Sequence, residues 1–452
     1  MEVSHAAPAC RQIDKTSFFT ISDDEAVLRL IHDHFAQELE RLKRAYSISN
    51  PNTTPPSTPS PSQILFGKQF DEVNRTLVGV LALRWIYNDQ YDAFRGAQPE
   101  PVALSRDSFN WMRDMFRAGL GNNEDLIDLL TSIVANDLGK DPELASDYRA
   151  MTGEDISAQN HDRILLEAVE AGLVPSLNRL SEEHKADVLR GMKLGAEFNF
   201  GQLAQAENVP VSLTALLELR GHARAFSLAF MEQLLDIAGA SGHEDWTCAK
   251  TLIQPVLNAY RNVYDVSQGV ISGDMGLRDA YDLILVRRGQ MLHNQGFRKL
   301  KIANPDDRAL MRLLCMGRVT QLPTAELYDS VWEELEADVR ASLVADLNID
   351  GSVEQPAVIA TYAPAFLTTG VDAGGTGPGE EKRSRLKSLL RYLARVLKLD
   401  VTLSDTSAVV IERNLLGIVQ DVVKSEEFLA NPSILDSQEV PDGVVAQTAR
   451  SG

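Results

Sequence analysis

The chain has 452 residues, of which 44% are hydrophobic and 24% are charged. This is the composition of a globular protein with enough apolar material for a core. The 64 acidic and 44 basic residues give a formal net charge of −20, and a field of this sign repels polyanions. Nucleic acid is therefore not an expected partner.

The three cysteines are Cys10, Cys248 and Cys315, and no C-x-x-C pair occurs. An odd, sparse set favours a reducing compartment over a disulfide framework or a zinc site. No run of 18 apolar residues occurs, and no basic segment followed by an apolar one begins the chain. The sequence predicts a cytoplasmic protein without a transmembrane segment, and it does not indicate the oligomeric state.

The first predicted element is an amphipathic helix over residues 23–46, whose apolar face contains Ile31, Phe35 and Leu39. Residues 47–63 follow, and they are rich in proline, serine and threonine. Such a segment cannot bury apolar surface, so we predict a disordered linker.

From residue 64 onward the hydrophobic pattern is helical almost throughout, and alternation with period 2 is nearly absent. The predicted class is all-α, as one large helical bundle-like domain, with no sheet. Helices are predicted over 68–94, 107–119, 123–138, 159–171, 181–199, 212–239, 246–267, 277–291, 305–318, 324–346, 380–398 and 405–426. The predicted domains are an N-terminal helical extension (1–46), the linker (47–63), a main catalytic domain (64–350) and a C-terminal helical segment with a Gly-rich loop, packed on the main domain (351–452).

An ionisable residue interrupts the apolar stripe of the predicted helix 123–138. Leu130, Ile133, Val134 and Asp137 follow one another at helical spacing. The run then ends in Gly-Lys-Asp-Pro at 139–142, which stops a helix. A carboxylate directed at a core is costly unless it is paired or binds a cation. We therefore expect Asp137 to have an ionic partner.

A second acidic pair, Asp89 and Asp92, continues the apolar face of the predicted helix 68–94, with Asn88 beside it. Carboxylates at i and i+3 are close enough to share a divalent cation. The segment Asn88-Asp89-x-x-Asp92 resembles the aspartate-rich motif of class I terpene cyclases. That resemblance implies a lyase of secondary metabolism that ionises a prenyl diphosphate, farnesyl or geranylgeranyl, with Mg²⁺. Asp89 and Asp92 would bind one part of the metal cluster, and Asn136 and Asp137 the other.

A diphosphate also needs cationic donors. The candidates are basic residues that end or interrupt apolar helices, together with the lysine that follows the central aspartate: Arg287, Arg288, Arg308, Arg312 and Lys140. Any of them contacts phosphate only if the helices converge.

The central segment Asn136-Asp137-Leu138-Gly139-Lys140 also resembles the His-Asp-Leu-Gly-Lys segment of HD-domain phosphohydrolases, another all-α class. This second resemblance implies a metal-activated water as the nucleophile. Its metal-binding residues would be Asp137, His161, Asp162, Asp236 and His243. The departure is that Asn136 replaces the first histidine and that no histidine occurs between His34 and His161.

The terpene cyclase is the leading expectation, and the degenerate HD-type phosphohydrolase is the alternative. A third interpretation is a non-enzymatic, acidic helical scaffold in which the buried aspartates are ion-paired and no metal is needed. Phosphate-binding loops, dinucleotide-binding turns, nucleophile elbows and zinc-protease helices are absent from the sequence. The expectations therefore do not include ATP hydrolysis, NAD(P) chemistry, serine hydrolysis or zinc proteolysis.

Overall fold

The computed structural model describes residues 13–47, 54–373, 379–399 and 407–449. These residues form helices along most of their length. The helices are α1 Lys15–Thr20, α2 Asp24–His34, α3 Ala36–Leu42, α4 Pro61–Phe66, α5 Asp71–Tyr87, α6 Tyr91–Arg95, α7 Arg106–Gly119, α8 Asn123–Ala135, α9 Pro142–Thr152, α10 His161–Glu170, α11 Pro175–Asn178, α12 Glu182–Glu197, α13 Phe200–Ala204, α14 Ala223–Gly239, α15 Gln254–Ser272, α16 Leu277–His293, α17 Pro305–Met316, α18 Leu322–Glu334, α19 Ala337–Leu347, α20 Ala363–Asp372, α21 Gly379–Leu397 and α22 Glu426–Ala430.

Shorter helical turns complete the helical part of the structure, and the predicted all-α class is confirmed. The 3-10 turns are Glu100–Val102, Leu138–Lys140, Pro210–Leu219 and Pro432–Ser437, and a π-helical turn covers Ile418–Val423. The predicted helix over 212–239 is therefore a true α-helix only in its second part, where α14 begins at Ala223.

One small sheet departs from the prediction. Its strands are β1 Ala357–Thr361, β2 Ala408–Asn414 and β3 Val444–Thr448, in the order β1-β2-β3. β1 pairs parallel to β2, and β2 pairs antiparallel to β3. The helix predicted over 405–426 is wrong across β2, because its first four residues are apolar and all buried. A strand buried on both faces lacks the alternation that would identify it.

The chain divides into two compact units. Unit 1 contains Met1–Glu197 and Leu219–Asn258, and unit 2 contains Phe198–Glu218 and Ala259–Gly452. This division differs from the predicted boundaries at 63/64 and 350/351. The predicted N-terminal extension contributes to unit 1, and the predicted main domain is divided between both units.

The N-terminal helices are held in unit 1 by a buried arginine. Arg84, on α5, donates to the carbonyl oxygen of Phe18 at 3.1 Å and to Asp24 Oδ1 at 2.5 Å. Its side chain is 5% exposed, so the guanidinium is paired where water is scarce, as a buried charge must be. The apolar face predicted for 23–46 is buried, but the helix breaks at Phe35 between α2 and α3.

The predicted linker 47–63 is partly ordered. Residues 48–53 lie outside the described residues, whereas Ser60 caps α4 through a reciprocal pair of hydrogen bonds with Gln63. Ser60, Pro61 and Ser62 are buried. The prediction of disorder is therefore wrong at the C-terminal end of the segment. Residues 374–378 of the predicted Gly-rich loop (371–381) also lie outside the described residues, and α20 and α21 cover most of the rest of that loop.

Two glycines bring α5 and α14 together at the centre of unit 1. A Cβ atom on Gly239 would lie 2.2 Å from the carbonyl oxygen of Arg75, and one on Gly79 would lie 3.0 Å from that of Leu235. Side chains at these positions would force the backbones apart. This close packing places the start of α5 beside the second half of α14, where the candidate site lies.

In unit 2 a buried carboxylate caps the helix that follows the parallel strand β1. Glu207, 6% exposed, accepts a hydrogen bond from the Tyr362 amide at 2.5 Å. Tyr362 precedes α20 and has a positive φ of 70°. Burial is the largest cause that raises the pKa of Glu207 to about 7, against the amides of Tyr362 and Ala363 and the charge of Arg318.

Glu207→Gln is expected to remove a pH dependence of stability. Because the folded pKa is raised, the stability present below about pH 4.5 is lost as the pH rises towards 7, up to about 3 kcal/mol. A glutamine stays neutral, so the variant does not lose this stability as the pH rises. Its Tm should equal that of the parent near pH 4.5 and exceed it at pH 8. Thermal unfolding at both pH values checks this. A variant that is less stable at pH 8 would contradict it.

No helix among the described residues is both long enough and apolar enough to cross a membrane.

Candidate functional site

The centre of the site is the turn between α8 and α9. The helix ends at Ala135, earlier than the predicted 138, and Leu138–Lys140 form a 3-10 turn before Pro142 starts α9. Gly139 permits this turn to press against α10, because a Cβ there would lie 1.8 Å from the carbonyl oxygen of His161. The chain thereby holds Asp137 and Lys140 in fixed positions beside the start of α10.

Asp137 has the ionic partner that its place in the sequence required. Lys140 Nζ lies 2.8 Å from Asp137 Oδ1 and 3.2 Å from Glu72 Oε2. Arg75 Nη1 lies 2.7 Å from the other oxygen of Glu72. The Glu72 side chain is fully buried, and those of Asp137 and Lys140 are about 10% exposed. Two carboxyl groups thus alternate with two cations in a place that excludes most water.

The interaction between Glu72 and Asp137 shifts the pKa values of the two carboxyl groups in opposite directions. Burial, followed by the hydrogen bond to Asp137, raises the pKa of Glu72 to about 7. Burial would also raise the pKa of Asp137, but the charge of Lys140 and the hydrogen bond from Glu72 outweigh it and lower that pKa. Below about pH 7, Glu72 is therefore the protonated member of the pair and donates to the ionised Asp137.

Three further carboxyl groups interact electrostatically with Asp137: Asp162 on α10, and Glu232 and Asp236 on α14. Burial and then repulsion from Asp137 raise the pKa of Asp236 to about 6. Burial and the charge of Asp236 hold the pKa of Glu232 well above its usual value. We call Glu72, Arg75, Asp137, Lys140, Asp162, Glu232 and Asp236 the acidic cluster. It has five carboxyl groups and two permanent cations.

The acidic cluster has enough negative charge to bind a cation, but its carboxyl groups are not arranged around one metal position. Oxygen-rich, carboxylate-dominated sets suit Mg²⁺, and Glu232 Oε1 is buried without a hydrogen-bond partner among the described residues. Within the same described residues, no three His, Cys, Asp or Glu side chains are placed to hold one metal ion. The carboxylates of Glu72 and Asp137 contact Lys140 and Arg75 instead.

The predicted HD-type residues are brought together in part. Asp137, Asp162 and Asp236 belong to the acidic cluster, and His161 Nε2 lies 3.4 Å from Asp162 Oδ1. His243 is in unit 1, with its side chain 9% exposed and Nε2 3.7 Å from Glu244 Oε1. Neither of its ring nitrogens makes a hydrogen bond to the described residues.

Asn136 ends α8, half-buried, and its backbone amide donates to the carbonyl oxygen of Ser132. Within the part of the chain that the structure describes, its side chain makes no ion pair or hydrogen bond that would mark it as a ligand beside Asp137.

Asp89 and Asp92 do not continue the face of α5. The helix ends at Tyr87, and Asp89 has a positive φ of 61°, so Asp92 falls on the separate short helix α6. Asp89 accepts hydrogen bonds from Arg106 at 2.6 Å and Arg113 at 2.9 Å. The hydrogen bond from Arg113, followed by that from Arg106, lowers the pKa of Asp89. Asp92 is exposed.

The length of α5 separates this pair from the acidic cluster. Glu72 contacts Asp137 at the start of α5, and Asp89 follows its end. With a rise of 1.5 Å per residue, the 17 residues from Glu72 to Asp89 span about 25 Å. Asp89 and Asp92 therefore do not meet Asp137, and one magnesium cluster cannot include both groups.

The predicted diphosphate-binding arginines all belong to unit 2, where other groups engage them. Arg308 and Arg312, each 1% exposed, both donate to the carbonyl oxygen of Leu347. Arg308 also pairs with Asp282 at 2.8 Å. Arg287 pairs with Asp265 at 2.9 Å, and Arg288 donates to the carbonyl oxygen of Val319 at 2.7 Å. These guanidinium groups tie helices and turns of unit 2 together.

Three residues of the acidic cluster were not among the predicted site residues. Glu72 and Arg75 lie at i and i+3 in the first turns of α5, and Glu232 lies four residues before Asp236 on α14. Glu232 could have been identified from the sequence, because it forms an acidic pair with Asp236 at i and i+4 within an apolar helix. Glu72 gave no such signal, because acidic residues are common in the first turn of any helix.

Residues 28–435 match the model of a family described as "Family of unknown function (DUF6829)". Because the match covers most of the chain, the chain belongs to that family. The comparisons with curated proteins and with solved structures give no match.

Proposed function

We propose that unit 1 is a metal-dependent phosphohydrolase whose active site is the acidic cluster. One observation carries the proposal: Asp137, Asp162 and Asp236, which the HD-type resemblance selected from distant parts of the sequence, act on one another in one half-buried place. Asp137 precedes a 3-10 turn, Asp162 lies on α10 and Asp236 lies on α14. Perturbed carboxyl groups that gather from separate helices are typical of functional sites.

The donor set indicates the kind of cofactor and substrate. Five carboxyl groups exceed the two cations, so ionising all of them requires additional positive charge. Mg²⁺ would supply that charge and would polarise a phosphoryl oxygen. Asp137, Asp162 and Asp236 would hold it only after their side chains rearrange, since no three such groups among the described residues are placed to hold one metal ion. Lys140 and Arg75 provide N–H donors that suit a phosphate group. Glu72 faces Asp137 from α5, in a chain that lacks the expected upstream histidine.

The prenyl diphosphate cyclase remains a prediction with less support. Its two acidic groups lie at opposite ends of α5, and Asp89 is occupied by Arg106 and Arg113. Incubation with farnesyl or geranylgeranyl diphosphate and Mg²⁺, followed by mass spectrometry, tests it. Hydrocarbon products would overturn the phosphohydrolase proposal in favour of the cyclase.

A cytoplasmic location is part of the proposal, together with a small phosphorylated substrate and no nucleic acid. The two cysteines among the described residues, Cys248 and Cys315, are buried and unbridged, as expected in a reducing compartment.

The direct test is phosphate release by the full chain after removal of metal with a chelator. p-Nitrophenyl phosphate and nucleoside mono-, di- and triphosphates would be supplied with Mg²⁺ or Mn²⁺. We expect release that needs the metal and falls at least about 100-fold in Asp236→Asn, because the variant loses a charged oxygen ligand. Asp89→Asn is the matched control, since it removes an aspartate outside the acidic cluster. Metal-independent melting together with no phosphate release would favour the ion-paired scaffold instead.

A further inference from the structure

Lys140 is placed where a cation of the acidic cluster would lie. Its ammonium is 2.8 Å from Asp137 Oδ1 and 3.2 Å from Glu72 Oε2, and its side chain is 10% exposed. The position between Asp137 and Glu72 is therefore occupied by the ammonium group of Lys140.

We infer that the Lys140 ammonium is the resident cation of the acidic cluster, and that a divalent metal ion binds there only when Lys140 leaves. The inference deepens the proposed function and rests on it for the identity of the site. It explains why the cluster has an excess of carboxyl groups and yet no three-ligand metal geometry among the described residues.

The remaining groups show what Lys140 leaves unsatisfied. Glu232 Oε1 is buried, lacks a hydrogen-bond partner among the described residues and is under the repulsion of Asp236, Asp137 and Asp162. Among the described residues, the Lys140 ammonium contacts the carboxyl groups of Glu72 and Asp137 and no others. A divalent ion carries twice the charge and takes six or more oxygen ligands, so it can draw in carboxylates that Lys140 does not reach.

The side chain of Lys140 can leave without unfolding the turn that bears it. The fixed parts of this turn are Gly139, pressed against His161, and Asp141, which is fully buried and paired with Arg41 and Arg44. The Lys140 backbone makes hydrogen bonds with Asp137 and Tyr46, whereas its side chain pairs through the terminal ammonium, at the end of four flexible methylene groups. We therefore expect its departure to need a change of side-chain rotamer and no change of the backbone.

Calorimetric titration of Mn²⁺ into the metal-free full chain tests the inference. Lys140→Met removes the competing charge, so we expect it to bind Mn²⁺ at least tenfold more tightly than the parent. Lys140→Arg keeps the charge and should bind no more tightly than the parent. Lys185→Met is the matched control, because Lys185 pairs with Asn178 outside the cluster and its loss should leave the affinity unchanged.

A second measurement needs no variant. In the parent protein, brief labelling with acetic anhydride should modify Lys140 at least fivefold faster with saturating Mn²⁺, relative to Lys185, because the displaced amine is exposed. Circular dichroism of Lys140→Met shows whether that variant folds. If it does not fold, the labelling result for the parent protein tests the inference by itself.

The outcomes separate this inference from the proposed function. Mn²⁺ binding without phosphate release, tighter in Lys140→Met, upholds the inference and refutes the phosphohydrolase. Mn²⁺ binding by Lys140→Met but not by the parent protein also upholds the inference. That result would mean that the lysine ammonium has replaced the metal ion in the parent. Equal affinities with unchanged labelling overturn it, as does a lack of binding by every folded variant.

Discussion

Gly139→Ala is expected to destabilise unit 1 more than other single substitutions at the site. The added Cβ would lie 1.8 Å from the carbonyl oxygen of His161 and 2.7 Å from its carbonyl carbon. Both atoms are backbone, so α10 must move away from the turn. We expect a loss on the order of 4 kcal/mol, within the range of severe steric conflicts, and a Tm lower by about 10 °C. Thermal unfolding by circular dichroism measures it.

Gly195→Ala is the control for this substitution. Gly195 lies inside α12, and no atom approaches within 4 Å of the position of a Cβ there. Alanine costs less conformational entropy than glycine in a helix, so this variant should gain about 0.5–1 kcal/mol. Equal Tm values for the two variants would show that the turn and α10 are not in close contact.

Asp137→Asn is expected to abolish metal-dependent phosphate release while leaving the fold largely intact. Asparagine at 137 no longer repels a negative charge on Glu72, so the pKa of Glu72 falls below about 7. Glu72 then ionises and pairs with Lys140, which limits the loss of stability to about 1 kcal/mol. Activity should fall at least about 100-fold, because no other group supplies an ionised ligand at that position. Initial rates and Tm at pH 8 test both parts.

The double variant Glu72→Gln/Asp137→Asn provides the counterpart. It leaves Lys140 without an anionic partner, and an unpaired buried ammonium costs about 3 kcal/mol or more. The two substitutions should therefore be strongly non-additive. Additive, small losses of stability would mean that Lys140 is hydrated and that the acidic cluster is open to water.

Helical periodicity was sufficient to predict most helices, because each must bury one apolar face. The same signal failed at β2, whose apolar residues are buried without alternation. It also extended the helix 68–94 past its end at Tyr87. Asp89 adopts a left-handed backbone conformation, and nothing in the order of side-chain polarity indicates such a reversal. The terpene cyclase motif depended on that extension.

The acidic cluster was predictable only in part. Asp137 stood out because it interrupted an apolar stripe, and its resemblance to an HD segment selected Asp162 and Asp236. Glu72 could not be identified, since acidic residues are common in the first turn of any helix, where they interact favourably with the helix dipole. Its partnership with Asp137 and Lys140 depends on three-dimensional packing of segments about 65 residues apart, which a single sequence does not reveal.

The discontinuity of unit 1 has a consequence for synthesis and for truncation. The chain leaves this unit at Glu197 and returns at Leu219, and α14 follows the return. A nascent chain therefore cannot complete the centre of unit 1 until residues well beyond 219 have emerged from the ribosome, and a fragment ending at 197 would leave α5 without the helix that covers it. Expression of unit 1 as one continuous piece would require residues 198–218 to be replaced by an engineered connector, and expression of unit 2 would require the same for residues 219–258.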